Sequence, residues 1–202
     1  MCKYLRRNAV TVHFAQSVHL PHQLQLCHCP FGKTPVRSIN PALRQPEPHL
    51  LFLKRPEGDY RHAGQIAFPG GKRDAGESAL DCALREAQEE VGLASSDVEV
   101  FGALDEYDTV VTGFRISPFV GLMPYPYELR PAPREVERLL EVPLRALLDP
   151  AVFHCEQREA FGRLLAVHYY SVGTDLIWGV TGGILTPLLE MVRGLPAAAR
   201  QG

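Results

Sequence analysis

The clearest repeat of apolar positions lies between residues 79 and 91, where Leu80, Ala83, Leu84, Ala87 and Val91 keep the three-to-four spacing of one buried helical face. Ser78 with Asp81 three residues on is a capping-box variant, and Gly92 suits the position just past a helix end. A helix is therefore expected over Ala79–Val91. Elsewhere the apolar residues come in short runs. His49–Lys54 suits a buried strand, and 65–68 suits a second that stops at Pro69-Gly70-Gly71. Segments 98–104, 114–123 and 164–172 are further strands, rich in β-branched and aromatic side chains. Residues 142–148 read as a short helix and 177–192 as a terminal one. Strands mixed with few helices, with no repeat or linker between them, predict a layered fold of the α/β or α+β kind.

Residues 1–46 lack this periodicity and read as a poorly defined basic segment, with the apolar stretch 9–15 as one edge strand. One domain over 47–194 and a tail over 195–202 complete the expected layout.

Composition narrows the function classes. The chain is 46% apolar and 22% charged, and no apolar run approaches the roughly 18 residues of a membrane span, so no membrane partner is expected. Residues 1–46 hold six Lys or Arg and no acid, which leaves 15 basic against 23 acidic side chains in the remainder. Such a body repels a nucleic-acid backbone, so no nucleic-acid partner is expected either. Small anionic substrates stay open, because bound cations reverse the local sign. Cys2, Cys27, Cys29, Cys82 and Cys155 show no disulfide rhythm and no signal peptide precedes them, which fits a reducing, cytoplasmic setting. The acid-free N-terminal segment leaves organelle targeting open. Cys27-His28-Cys29, with His22 nearby, lacks the second ligand pair of a structural zinc site.

Glu86, Glu89 and Glu90 lie on one flank of the expected helix, beside its apolar face. Like charges so placed cost ~0.2–0.5 kcal/mol per pair, near the negative end of the helix dipole. No Lys or Arg follows within the helix to relieve them. A divalent cation among the carboxylates accounts for the arrangement, since hard cations prefer oxygen ligands and bridge to phosphates.

Gly71-Lys-Arg-Asp-Ala-Gly-Glu77, seven residues, and then Arg85-Glu86-Ala87-Gln88-Glu89-Glu90-Val91-Gly92-Leu93 resembles a complete Nudix box. The resemblance implies an α/β/α sandwich with a mixed β-sheet, and Mg²⁺- or Mn²⁺-dependent hydrolysis of a nucleoside diphosphate linked to another group. It also implies Glu86 and Glu90 as principal metal ligands, and Glu89 as a further ligand or water-activating group. Arg85 would orient the glutamates, with Glu77 in support.

Upstream, Leu51-Phe52-Leu53-Lys54-Arg55 and Gly64-Gln65-Ile66-Ala67-Phe68-Pro69-Gly70-Gly71 resemble the signature that precedes the box in Nudix coenzyme A diphosphatases. Pro56 stands at a usually small position, and Tyr60 where that signature has an arginine, with Arg61 one place later. Ile177-Trp178-Gly179-Val180-Thr181-Gly182-Gly183-Ile184-Leu185 resembles their terminal-helix segment. The favoured substrate is thus coenzyme A or an acyl derivative, with Arg55, Arg61, Gln65, Gly70 and Gly71 as substrate-binding candidates and His62 beside them. Guanidinium forks fit phosphate, and glycines let a backbone bend beside one. Phe68 and Trp178 read as core. Glu135 and Glu137 read either as an exposed helix start or as a further carboxylate near the metals. The alternatives are a Nudix hydrolase for ADP-ribose or another nucleotide, and a nucleotide-sensing module without turnover.

Overall fold

The computed structural model describes residues 7–17, 48–58, 62–109, 113–160 and 162–194. In chain order they form β1 (Arg7–Ser17), β2 (His49–Lys54), β3 (Ile66–Ala67), β4 (Gly70–Lys72), α1 (Ala79–Val91), β5 (Glu99–Ala103), β6 (Tyr107–Asp108) and β7 (Arg115–Pro124). There follow β8 (Arg138–Pro143), α2 (Leu144–Leu148), β9 (Phe153–Ala160), β10 (Arg163–Val172), β11 (Asp175–Ile177) and α3 (Gly179–Gly194).

The main sheet is mixed and is organised around β2 and β1. Leu50, Leu51, Phe52 and Leu53 are each at most 1% exposed, as expected of a strand covered on both faces. Because side chains alternate across a strand, Leu50 and Phe52 pack on α2, α3, β10 and β11, through Leu147, Leu185, Leu189, Tyr170 and Ile177. Leu51 and Leu53 pack instead on Ala87 and Val91 of α1. Helices on both faces of one mixed sheet make an α/β/α sandwich, as the family resemblance implies. β9, β10 and β11 form a separate antiparallel sheet of three strands.

One expectation is corrected. The 9–15 stretch is not an edge strand, because β1 lies in the interior, antiparallel to β7 along its length and parallel to both β2 and β4. Its place is decided by partners far along the chain, which local alternation does not encode. Strand β3 stops before Pro69-Gly70-Gly71 as expected, and the glycines open a new strand, β4. Ala9 and Val10 pair with β2, but Phe14, Ala15 and Gln16 pair with Gly70, Gly71 and Lys72 of β4. The chain leaves β3, turns at Gly70 with φ 152°, a conformation that favours glycine, and re-enters the sheet beside β1. That step brings the two glycines in front of α1.

Strand β9 and the strand at β8 went unforeseen, since residues 133–135 turn and 138–143 run as strand where a helix start was one reading of Glu135 and Glu137. No described helix is long and apolar enough to cross a membrane. The Cys27-His28-Cys29 group lies outside the described residues.

Candidate active site

Helix α1 has the bounds its caps dictate. Ser78 Oγ accepts from the Asp81 amide at 3.1 Å and donates to the Asp81 carboxylate at 2.6 Å. Gly92 closes the helix at φ 71°, its amide bonded to the Gln88 carbonyl. The buried face is turned slightly from the expected one. It consists of Cys82, Ala83, Ala87, Glu90 and Val91, while Leu80 and Leu84 are only half-buried. Small residues explain the turn: Cys82 and Ala83 pack with Phe119 of β7, and the Cys82 thiol donates to the Gly71 carbonyl of β4 at 3.7 Å. Burial pushes that thiol up to about 12.

The rotation separates the three glutamates. Glu90 is 2% exposed, Glu86 14% and Glu89 56%, so they grade from core to solvent instead of sharing one exposed flank. Glu90 Oε2 accepts from the Gly70 amide at 2.8 Å, and Arg55 Nη2 stands 3.8 Å from Glu90 Oε1. Glu86 packs against Gly71, where a β-carbon would overlap its carboxylate. The glycine is thus the cradle in which Glu86 lies.

Arg85 supplies the relief expected from no residue further along the helix. Its Nε and Nη2 grip the two oxygens of Glu77 at 2.9 and 3.1 Å. Its Nη1 donates to Glu86 at 3.0 Å and Glu89 at 2.8 Å, and Nη2 reaches the Lys72 carbonyl at 3.2 Å. The guanidinium, with the Asp74 amide beside it, draws the Glu77 carboxyl down to about 2, and the Glu77 partnership pushes Arg85 well above its usual value.

Burial raises the other two carboxyls. Glu90 is pushed up to about 7 by desolvation, against the pull of the Gly70 amide and Arg55. Glu86 is raised for the same leading reason, against Arg85. The charge of Glu135 bears on both of them. Glu137, by contrast, is held by Lys54 Nζ at 3.0 Å, an ammonium that also meets Glu57 at 3.2 Å.

The remaining candidates are scattered along the segment between β2 and β3. Backbone bonds from Arg55 to Gln65 (2.9 Å) and from Gly64 to Pro56 (3.1 Å) close it. The Gln65 side chain meets His62 Nδ1 at 2.9 Å, and His62 holds φ 71°. Arg61 lies outside the described residues. Phe68 is buried, whereas Trp178 is 37% exposed and stacks on Tyr169, so it is not core. Sequence reading missed Lys54 as the clamp on Glu137, since register across β2 and β8 brings them together.

Among the described residues no three His, Cys, Asp or Glu side chains converge on one point, and Arg85 Nη1 holds both Glu86 and Glu89. The donor set nonetheless suits a hard divalent cation: every candidate ligand is a carboxylate, burial raises the carboxyls of Glu90 and Glu86, and Gly71 leaves Glu86 room.

Comparison with known proteins agrees. The NUDIX domain model matches residues 34–160. An uncharacterized Nudix hydrolase NudL of Photorhabdus laumondii is 36% identical over 154 residues, 76% of this chain and 82% of its own. A Salmonella dublin protein of the same name is 36% identical over 165 residues, 81% and 85% of the two chains. Among solved structures, a MutT/nudix family protein from Enterococcus faecalis aligns over 100% of this chain and 68% of its own, with 14% identity and a TM-score of 0.49. The Nudix hydrolase RenU from M. smegmatis aligns over 49% and 62%, with 24% identity and a TM-score of 0.40. With an unbroken box, and relatives matched over most of their length, this chain belongs to the Nudix hydrolases, enzymes that act on nucleoside diphosphate derivatives and generally use divalent cations.

Proposed function

We propose that the protein hydrolyses the diphosphate of coenzyme A or an acyl derivative, giving 3′,5′-ADP and 4′-phosphopantetheine or its acyl form. The observation that carries this reading is Arg55. It belongs to the upstream segment that resembles coenzyme A diphosphatases, and its guanidinium stands 3.8 Å from the buried carboxylate of Glu90. A phosphate-binding fork is thereby set at the rim of the carboxylate site.

Glu86 and Glu90 are the residues to hold Mg²⁺ or Mn²⁺, with Glu89 as an accessory ligand once it leaves Arg85. The bound cation would neutralise diphosphate oxygens and acidify a water. The chain's own side chains do the rest. Arg85, anchored on Glu77, orients Glu86 and Glu89. The Gly70 amide fixes Glu90, and Gly71 keeps the approach to Glu86 clear. Glu135, whose charge acts on both glutamates, takes the proton of the attacking water. Arg55 steadies the diphosphate, and Arg61 and Gln65 contact the nucleotide.

The test is hydrolysis by the full chain, with Mg²⁺ or Mn²⁺, of coenzyme A, ADP-ribose, NADH and nucleoside triphosphates. Coenzyme A is expected to give 3′,5′-ADP with the highest kcat/KM. Faster turnover of ADP-ribose overturns the substrate, and binding of nucleotides without any turnover overturns the reaction.

A further inference from the structure

Strand β9 is the outer strand of its sheet. β10 pairs with one of its edges from Phe153 to Ala160, and among the described residues no strand pairs with the other. Residues 154–159 are all exposed. An open edge is a template for another strand, and its charges decide which strand can use it.

We propose that β9 pairs antiparallel with β9 of a second copy of this chain, about a two-fold axis at Gln157. A two-fold perpendicular to the sheet keeps each residue on its own face, so residues equally distant from the axis lie opposite each other. Centred on Gln157, Glu156 faces Arg158 of the second copy and Arg158 faces its Glu156. Cys155 faces Glu159, and His154 faces Ala160. No like charges meet, and all but one of the eight residues of β9 take part.

The other symmetric registers do worse. A centre at Glu156 sets Glu156 against itself and His154 against Arg158. Centres at Arg158 and Glu159 likewise oppose identical charges, which destabilises a pair. A centre at Cys155 avoids repulsion but overlaps only residues 153–157 within the strand. The sequence of the strand therefore selects one register.

The exposed face is already ordered for this contact. Arg158 donates through Nε and Nη2 to Glu156 at 3.0 and 2.9 Å, and its guanidinium lies 5.4 Å from the Tyr169 ring centroid. His154 of β9 and Tyr169 of β10 stack at 4.6 Å, and Tyr169 and Trp178, just past β11, at 6.1 Å, so the rings form one stack along this face. On the opposite face Leu164 is 73% exposed and lies across from Glu159. That is the position Cys155 of the second copy reaches. Edge charges usually deter pairing; here they deter foreign strands while matching their own.

Sedimentation velocity of the full chain at micromolar concentrations is expected to show a dimer. Arg158→Glu, which sets glutamates against each other, should weaken it by about tenfold or more, and the double exchange Glu156→Arg/Arg158→Glu should restore it. The restoration separates lost pairing from lost folding. The register has its own test: under mild oxidation Glu159→Cys should form a disulfide with Cys155 of the second copy, and Cys155→Ser should abolish it. Four strand residues, about 13 Å, separate these positions within one chain, too far for an internal bridge. A monomer at every concentration overturns the proposal. So does a dimer that ignores Arg158→Glu or gives no 155–159 bridge.

Discussion

The amide of Gly70 donates to the buried carboxylate of Glu90 at 2.8 Å, and this bond ties the last turn of α1 to the glycine strand β4. It is too little to keep Glu90 comfortably ionised: burial outweighs it and pushes the carboxyl up to about 7. The metal-free fold therefore binds this proton more tightly than the unfolded chain does. Stability contributed by the protonated form is complete below the ordinary value of 4.5 and is lost as pH rises to about 7. At 1.36 kcal/mol per unit the loss is on the order of 3 kcal/mol. In EDTA, the thermal midpoint should fall by roughly 6–12 °C between pH 5 and pH 8. Glu90→Gln keeps an acceptor for Gly70 and removes the charge. At pH 8 it should melt higher than the wild type in EDTA, gain nothing from Mn²⁺, and hydrolyse no substrate. Parallel pH dependences of the two proteins would show that Glu90 is not the titrating group.

Gly71→Ala places a β-carbon where the Glu86 carboxylate lies. Glu86 must move, and a displacement of about 1 Å at a reacting centre costs on the order of 10²-fold. The variant should fold, lose about that much kcat/KM, and require more Mn²⁺ for half-maximal rate. Unchanged metal dependence would mean that Glu86 does not hold the cation.

How far the sequence discloses this site depends on the range of the forces involved. Ala79–Val91 is legible to the residue because Ser78 and Gly92, both local, fix its ends. His49–Lys54 is legible because a strand buried on both faces is apolar throughout. The interior position of β1 is not, since it rests on pairing with β2, β4 and β7 across long stretches of chain. Nor is β9: the run His-Cys-Glu-Gln-Arg-Glu has no apolar alternation, and only its ladder with β10 holds it as a strand. At the site, the glutamates are legible by spacing but their burial is not. With Cys82 and Ala83 packed on Phe119 of β7, Glu90 lies in the core and Glu89 in water.

Arg85 and Glu77 form the rigid brace of the site, through two parallel bonds that a lysine cannot reproduce. Arg85→Lys should lower kcat/KM by roughly 10- to 100-fold, the usual cost of losing support behind metal ligands. The pair also sets acid stability. Glu77 is depressed to about 2, so its contribution is present above 4.5 and is lost as pH falls toward 2. Between pH 5 and pH 3, urea midpoints should drop more for the wild type than for Glu77→Gln. Equal drops would assign acid sensitivity to other carboxylates.

Glu135 and Glu137 are two residues apart but act on different groups. Glu137 is clamped by Lys54 at 3.0 Å, whereas the charge of Glu135 acts on Glu86 and Glu90 together. If Glu135 accepts the proton of the attacking water, Glu135→Gln should lower kcat by about 10²–10⁴-fold while leaving KM nearly unchanged. Glu137→Gln should leave kcat close to wild type and cost only a surface ion pair, ~1 kcal/mol or less. The Mn²⁺-induced rise in thermal midpoint distinguishes a base from a ligand. It should survive in Glu135→Gln and vanish in Glu90→Gln. Loss of the rise in both variants would make Glu135 a ligand, and loss of activity in Glu137→Gln alone would move the base to the other side of the turn.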